Sequence, residues 1–126
     1  MTPDESSTNH IAKNDVGSSY LLEDVLDNVA TLTLNRSNAR NCLSLDMISA
    51  LHEAIDRLAE MPAVKVIIIT ANGPVFCAGH DLKQMTAARG DSDRGRAYFT
   101  TTLTACSAMM QAIIKCRKPV IAAVQG

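Results

Sequence analysis

Hydrophobic and polar positions along the chain change period several times, and each change marks an element. From Tyr20, the run Tyr20-Leu21-Leu22-Glu23-Asp24-Val25-Leu26 suits a first strand, and Asp27-Asn28 supplies a turn. Val29-Ala30-Thr31-Leu32-Thr33-Leu34 then alternates, with Ala30, Leu32 and Leu34 on one face and Val29, Thr31 and Thr33 on the other. That is the period of a half-buried hairpin strand. A polar loop follows, and then Ile48, Leu51, Ile55 and Leu58 step by three and four, which predicts a helix over residues 45–60. Ser44 is its expected cap, Asp46 complements its dipole and Pro62 lies just beyond its end. Residues 64–71 form a nearly continuous β-branched run, the mark of a strand buried on both faces at the centre of a parallel sheet. Residues 81–88 suit one or two helical turns, and a charged, glycine-bearing loop covers residues 89–96. A long helix carries Phe99, Leu103, Cys106, Met110 and Ile113 as its expected core stripe. Lys115, Arg117 and Lys118 favour its C-terminal end, before Pro119 and a further buried-strand candidate at residues 120–124.

The order strand, helix, buried strand is a βαβ unit, which predicts an α/β fold. A strand stopping at Gln125-Gly126 with no following helix is read as truncation of a longer domain. Residues 1–19 are polar, with few large apolar groups, and read as a disordered leader ahead of a single unit over residues 20–126. The leader lacks the apolar stretch of a secretory signal, and its Asp4, Glu5 and Asp15 without any arginine argue against a mitochondrial presequence. A cytoplasmic location is the expectation.

Charge narrows the function. With 12 basic and 13 acidic residues, a formal net charge of −1 points to neither nucleic acid nor an anionic membrane. No apolar run is long enough to span a bilayer. Four cysteines, Cys42, Cys77, Cys106 and Cys116, have neither CxxC spacing nor a flanking histidine pattern, so buried reduced thiols are expected and no metal site.

The chemistry concentrates in Gly73-Pro74-Val75-Phe76-Cys77-Ala78-Gly79-His80-Asp81-Leu82. Here a strand ends, two glycines permit sharp turns and a helix begins near Asp81, an arrangement that points backbone N–H groups into a crevice. Such donors can bind a thioester carbonyl and stabilise an enolate. The segment contains no G-x-S-x-G elbow, and its glycine spacing matches neither a P-loop nor a dinucleotide fingerprint.

Ala71, Gly73, Phe76, Cys77, Ala78, Gly79, Asp81 and Leu82, preceded by the β-branched strand, resemble the signature of the crotonase (enoyl-CoA hydratase/isomerase) superfamily. Leu34-Asn35-Arg36 with Asn41-Cys42-Leu43-Ser44 is similar to that family's first adenosine-contacting loop, and residues 118–126 are similar to its K-P-V-I-A-A-V-x-G strand. The wording of the signature looks most like the enoyl-CoA hydratase domain-containing 3 branch. The resemblance implies the N-terminal portion of the crotonase (ClpP/crotonase-like) ββα spiral core. It implies an acyl-CoA thioester as ligand, with coenzyme A part of the substrate and no separate cofactor, and a homotrimer or hexamer for whole family members. It gives the Ala78 N–H the role of first oxyanion donor, lines the thioester and pantetheine path with Ala78, Gly79, His80, Asp81 and Leu82, and borders the adenosine end with Ala39, Arg40 and Cys42. Arg40 is either a phosphate-contacting cation or a solvated loop arginine. His80 is expected to line the site rather than act as a base, and Asp81 to cap a helix rather than act as an acid. The family's second oxyanion glycine and its acid/base carboxylates fall beyond Gly126, so this chain is expected to be inactive alone. A non-catalytic acyl-CoA-binding or interaction module is the alternative.

Overall fold

A computed structural model describes residues 20–126, and the expected leader lies outside them. Strands β1 (Leu21–Leu26) and β2 (Val29–Leu34) form an antiparallel hairpin in which Leu26 pairs with Val29. The two turn residues, Asp27 and Asn28, both adopt positive φ (52° and 68°), the geometry whose twist matches a two-residue hairpin and which short polar side chains tolerate. The Asn28 amide also donates to the Ala63 carbonyl at 2.7 Å, tying the turn to the approach of strand β3 (Val66–Ala71). β3 runs parallel to β2, and a short β4 (Val120–Ala122) runs parallel to β3, giving the order β1-β2-β3-β4.

Helix α1 (Leu45–Ala59) connects β2 to β3. The Ser44 hydroxyl accepts from the Met47 N–H at 3.2 Å, the cap expected from sequence. Ile48, Leu51, Ile55 and Leu58 are all buried, against Ala30, Leu32, Leu34, Ile67 and Ile69 of the sheet. Helices α2 (Leu82–Ala88) and α3 (Arg96–Lys115) lead from β3 to β4, and α3 reaches the same core through Met109.

Three expectations about burial require correction. β3 is central and parallel, but only Ile67 and Ile69 are buried, while Val66, Ile68 and Thr70 are half-buried. The β3 residues in the core cluster, Ile67, Ile69 and the partly buried Ala71, all lie on one face, and the opposite face has no comparable cover among the described residues. For the same reason residues 120–124 are not a buried strand: β4 lies at the sheet edge, with Ile121 51% and Val124 68% exposed. In α3, Leu103 and Met110 are exposed, and the buried positions are Thr102 and Met109, with Ala105, Cys106, Ala112 and Ile113 packed beside them. The packed face contains threonine and alanines, which a count of large apolar residues does not register.

The basic cluster after α3 serves its neighbour as well. Lys118 Nζ donates to the carbonyls of Leu58 (2.9 Å) and Met61, at the C-terminal end of α1, and Arg117 pairs with Glu60. Cations there satisfy carbonyls that the helix leaves open. At the start of α3, Gly95 turns the chain at φ 87°, and the Asp93 carboxylate accepts from the Gly95 and Ala97 N–H groups, each at 2.9 Å. These amides, Ala97 first, hold the Asp93 carboxyl below its ordinary range. A depressed pKa contributes stability above the unfolded-state value and loses it as pH falls through the folded one. Protection of the Ala97 amide, its exchange relative to the intrinsic rate at the same pH, is therefore expected to fall below about pH 4, and Asp93→Asn should flatten that dependence. Equal pH profiles for the two proteins would refute the assignment.

Candidate functional site

Two loops zip together at the C-terminal ends of β2 and β3. The first leaves β2 through a single 3-10 turn (Ser37–Ala39) and then places Arg40 and Asn41 in succession at positive φ. Asn41 is fully buried and acts as a cross-loop staple. Its Oδ1 accepts from the Arg36 N–H at 2.7 Å, and its Nδ2 donates to the carbonyls of Asn72 and Val75, both at 2.9 Å. The loops then make a one-residue parallel bridge between Leu43 and His80. In it the Leu43 N–H donates to the Gly79 carbonyl at 2.7 Å and the Asp81 N–H donates to the Leu43 carbonyl at 3.2 Å.

The bridge decides which amide faces outward. In a trans peptide the C=O and N–H point in opposite directions. With the Gly79 carbonyl bonded to Leu43, the His80 N–H of the same peptide points away from the first loop, and it has no partner among the described residues. The Ala78 N–H, by contrast, donates to the Arg40 carbonyl at 3.0 Å. The expectation of an Ala78 amide free for a ligand is thus not met, because the first loop takes that donor. Gly79, at φ 98°, makes the reversal possible, and a Cβ there would meet open space, so backbone conformation rather than crowding requires glycine.

Asp81 is buried and caps α2: its Oδ1 accepts from the N–H groups of Lys83 (3.0 Å) and Gln84 (3.2 Å). Its Oδ2 lies 3.6 Å from Arg36 Nη1. The capping role expected from sequence is the one the geometry gives it. Beside it, burial first and then the Asp81 carboxylate push the Cys42 thiol up, and burial followed by Cys77 does the same to Cys106. Both stay protonated near neutrality, and all four cysteines are free.

The remaining candidates fall around this junction. Ala39 is half-buried in the 3-10 turn, Arg40 is exposed and Leu82 is 72% exposed at the start of α2. The His80 ring is half-buried, with its Nδ1 buried and unpartnered among the described residues. Leu82, Met85, Thr86, Arg89, Phe99 and Leu103 line an adjoining cleft of about 390 Å³ between α2 and α3. A larger groove, about 820 Å³, lies between the C-terminal halves of α1 and α3 and contains none of the motif residues, so the site is placed at the loops. Arg36, Asn41 and Gln125 stand inside segments that carry the family resemblance, but their roles in bonding the loops together were not legible there. The Gln125 side chain donates to the carbonyls of Ala71 (2.8 Å) and Gly73 (3.1 Å), tying the residues after β4 to the start of the motif. A polar residue closing an apolar strand was the available signal. Among the described residues no three metal-ligating side chains converge, and no helix is long and apolar enough to cross a membrane.

A mixed sheet that delivers a glycine turn and an outward amide between a βαβ unit and a short helix defines the N-terminal part of a crotonase-type fold. The enoyl-CoA hydratase/isomerase family model matches residues 29–126, and the chain belongs to that family. It is 41% identical over 100 residues to the rat (Rattus norvegicus) enoyl-CoA hydratase domain-containing protein 3, mitochondrial, a match covering 79% of this chain and 32% of that protein. Among solved structures, an enoyl-CoA hydratase of Mycobacterium smegmatis superposes with a TM-score of 0.78 at 43% identity, over 86% of this chain and 41% of the other. Human enoyl coenzyme A hydratase domain-containing protein 3 gives 0.75 at 37%, over 85% and 40%. The chain spans about a third of the length of the curated relatives it matches.

Proposed function

We propose that these residues bind an acyl-CoA thioester, with the His80 amide rather than the Ala78 amide contacting the thioester carbonyl. The observation that carries this reading is the outward, unpartnered His80 N–H, fixed by the Leu43 bridge on both sides. Hydration or double-bond migration in an enoyl thioester puts negative charge on the carbonyl oxygen, and one fixed amide donor is worth about 3 kcal/mol to such a species. The apolar cleft beginning at Leu82 offers the acyl chain a surface, with Met85, Phe99 and Leu103 as its walls. Arg40 and Cys42 belong to the first loop, bonded to the motif through the Arg40 carbonyl, and are the residues assigned to the nucleotide end of the ligand.

Asp81, the carboxylate of the motif, is committed to the α2 cap and to Arg36. One oxygen takes both cap bonds and the other faces the Arg36 cation, which holds the group as a charge-compensated cap. The described residues therefore supply a carbonyl contact and not an acid/base pair, which favours binding over turnover by this chain alone. Titration of the isotopically labelled chain with crotonyl-CoA is expected to shift the His80 amide resonance strongly and to leave the Ala78 amide nearly unmoved. Hydration of crotonyl-CoA should stay at the buffer rate. A shift centred on Ala78, or no shift at saturating ligand, would defeat the reading, and measurable hydration would defeat the assignment of Asp81.

A further inference from the structure

Arg36 touches two of the groups around the outward amide, the Asp81 carboxylate through its guanidinium and Asn41 through its backbone N–H. The Asp81 side chain is only 9% exposed. A carboxylate so far from water needs compensation on each oxygen. Oδ1 receives two amides of α2, and the cation facing Oδ2 is Arg36. The residue is held at both its side chain and its main chain. The guanidinium carbon of Arg36 lies 4.6 Å from the centroid of the Tyr20 ring, at the entrance to β1, and the Arg36 backbone N–H donates to Asn41 Oδ1. Arg36 thus links the start of the sheet, the Asn41 staple and the α2 cap.

What that linkage controls is the peptide plane of the motif. The Asp81 N–H bonds to Leu43, and the Asp81 carboxylate is drawn to the same first loop by Arg36. If the carboxylate swings free, only the two backbone bonds of the Leu43 bridge and the neighbouring Cys42 thiol keep residues 79–81 against the first loop, and the His80 N–H loses its fixed direction. We propose that Arg36 is a positioning residue, which acts through Asp81 to hold the His80 amide in its ligand-facing orientation. This rests on the acyl-CoA reading of the site. It is separable from that reading, because the orientation exists without ligand.

The test uses the full 126-residue chain and its Arg36→Gln variant, with crotonyl-CoA and S-butyl-CoA, a thioether that lacks the carbonyl. In the parent chain the thioester should bind more tightly. In Arg36→Gln that preference should fall roughly fivefold, the value of one hydrogen bond. Equal weakening of both ligands, or no change in the preference, would overturn the proposal. In the ligand-free proteins, exchange of the Leu43 and Asp81 amides should accelerate about tenfold in the variant, with α1 unchanged; unchanged exchange at these two amides would also overturn it. If the parent chain shows no preference for the thioester, the acyl-CoA reading fails and the exchange comparison alone decides the role of Arg36. Should Arg36→Gln not fold, Asp81→Asn keeps the capping oxygen and removes only the charge that Arg36 meets. It is expected to give the same pattern, and parent-like values in it would overturn the proposal.

Discussion

Asn41→Ala is expected to destabilise the chain by roughly 3 kcal/mol, because the substitution strands three backbone groups in the loop junction. The Arg36 N–H loses its acceptor, and the carbonyls of Asn72 and Val75 lose their donor. Asn41 is fully buried, so water does not replace those bonds without the loops parting. Alanine is also a poorer occupant of φ 52° than asparagine. The measurement is urea unfolding monitored by circular dichroism, read as a change in midpoint at constant slope. Asn41→Asp separates the contributions. It keeps the acceptor for Arg36 but sets a carboxylate against two carbonyl oxygens, so its folded-state pKa is raised. Stability gained by protonation is then present at low pH and lost as pH rises through that value, and the variant should recover on acidification. A loss below about 1 kcal/mol for Asn41→Ala would show that the loops do not depend on the staple.

The second large effect is expected at Gly73. Its φ is 88°, and a Cβ built there would lie 2.6 Å from the Ser37 Cβ, well inside contact distance. Gly73→Ala should cost roughly 1–2 kcal/mol for the left-handed backbone and about 1–3 kcal/mol for the clash, or the loop must move. The two parts are separable. Ser37→Gly removes the atom that the new methyl meets but cannot relieve the backbone, so the double variant should recover part of the loss and not all of it. Full additivity of the two single effects would mean that the 3-10 turn and the motif loop do not touch. Because Gly73 also presents its carbonyl to Gln125, the same variant should loosen the residues after β4, seen as faster exchange of the Phe76 amide, which donates to the Gln125 carbonyl at 3.3 Å.

The order of elements was legible in the sequence, from the hairpin strands with their Asp27-Asn28 turn, through α1 with its Ser44 cap, to the parallel placement of β3. These follow from local rules: an alternation of two for a strand, steps of three and four for a helix, and a hydroxyl that meets an open amide. The motif was legible for the same reason, since glycine at positive φ and a capping aspartate are requirements of the chain at that point. The family followed from the joint spacing of those residues, and the match over residues 29–126 agrees with it.

Tertiary structure alone decided which backbone donor is free. Ala78 and His80 are two residues apart and chemically equivalent in their amides, so nothing in the local sequence separates them. The Arg40 carbonyl, 38 positions earlier in the chain, takes one, and the Leu43 bridge turns the other outward. The face of α3 that packs, the single covered face of β3 and the pairing of Arg36 with Asp81 belong to the same class. Each depends on what another segment brings within reach, which periodicity cannot report. Sequence by itself determined the elements, the turn residues and the family; the contacts between distant loops determined where the candidate site points.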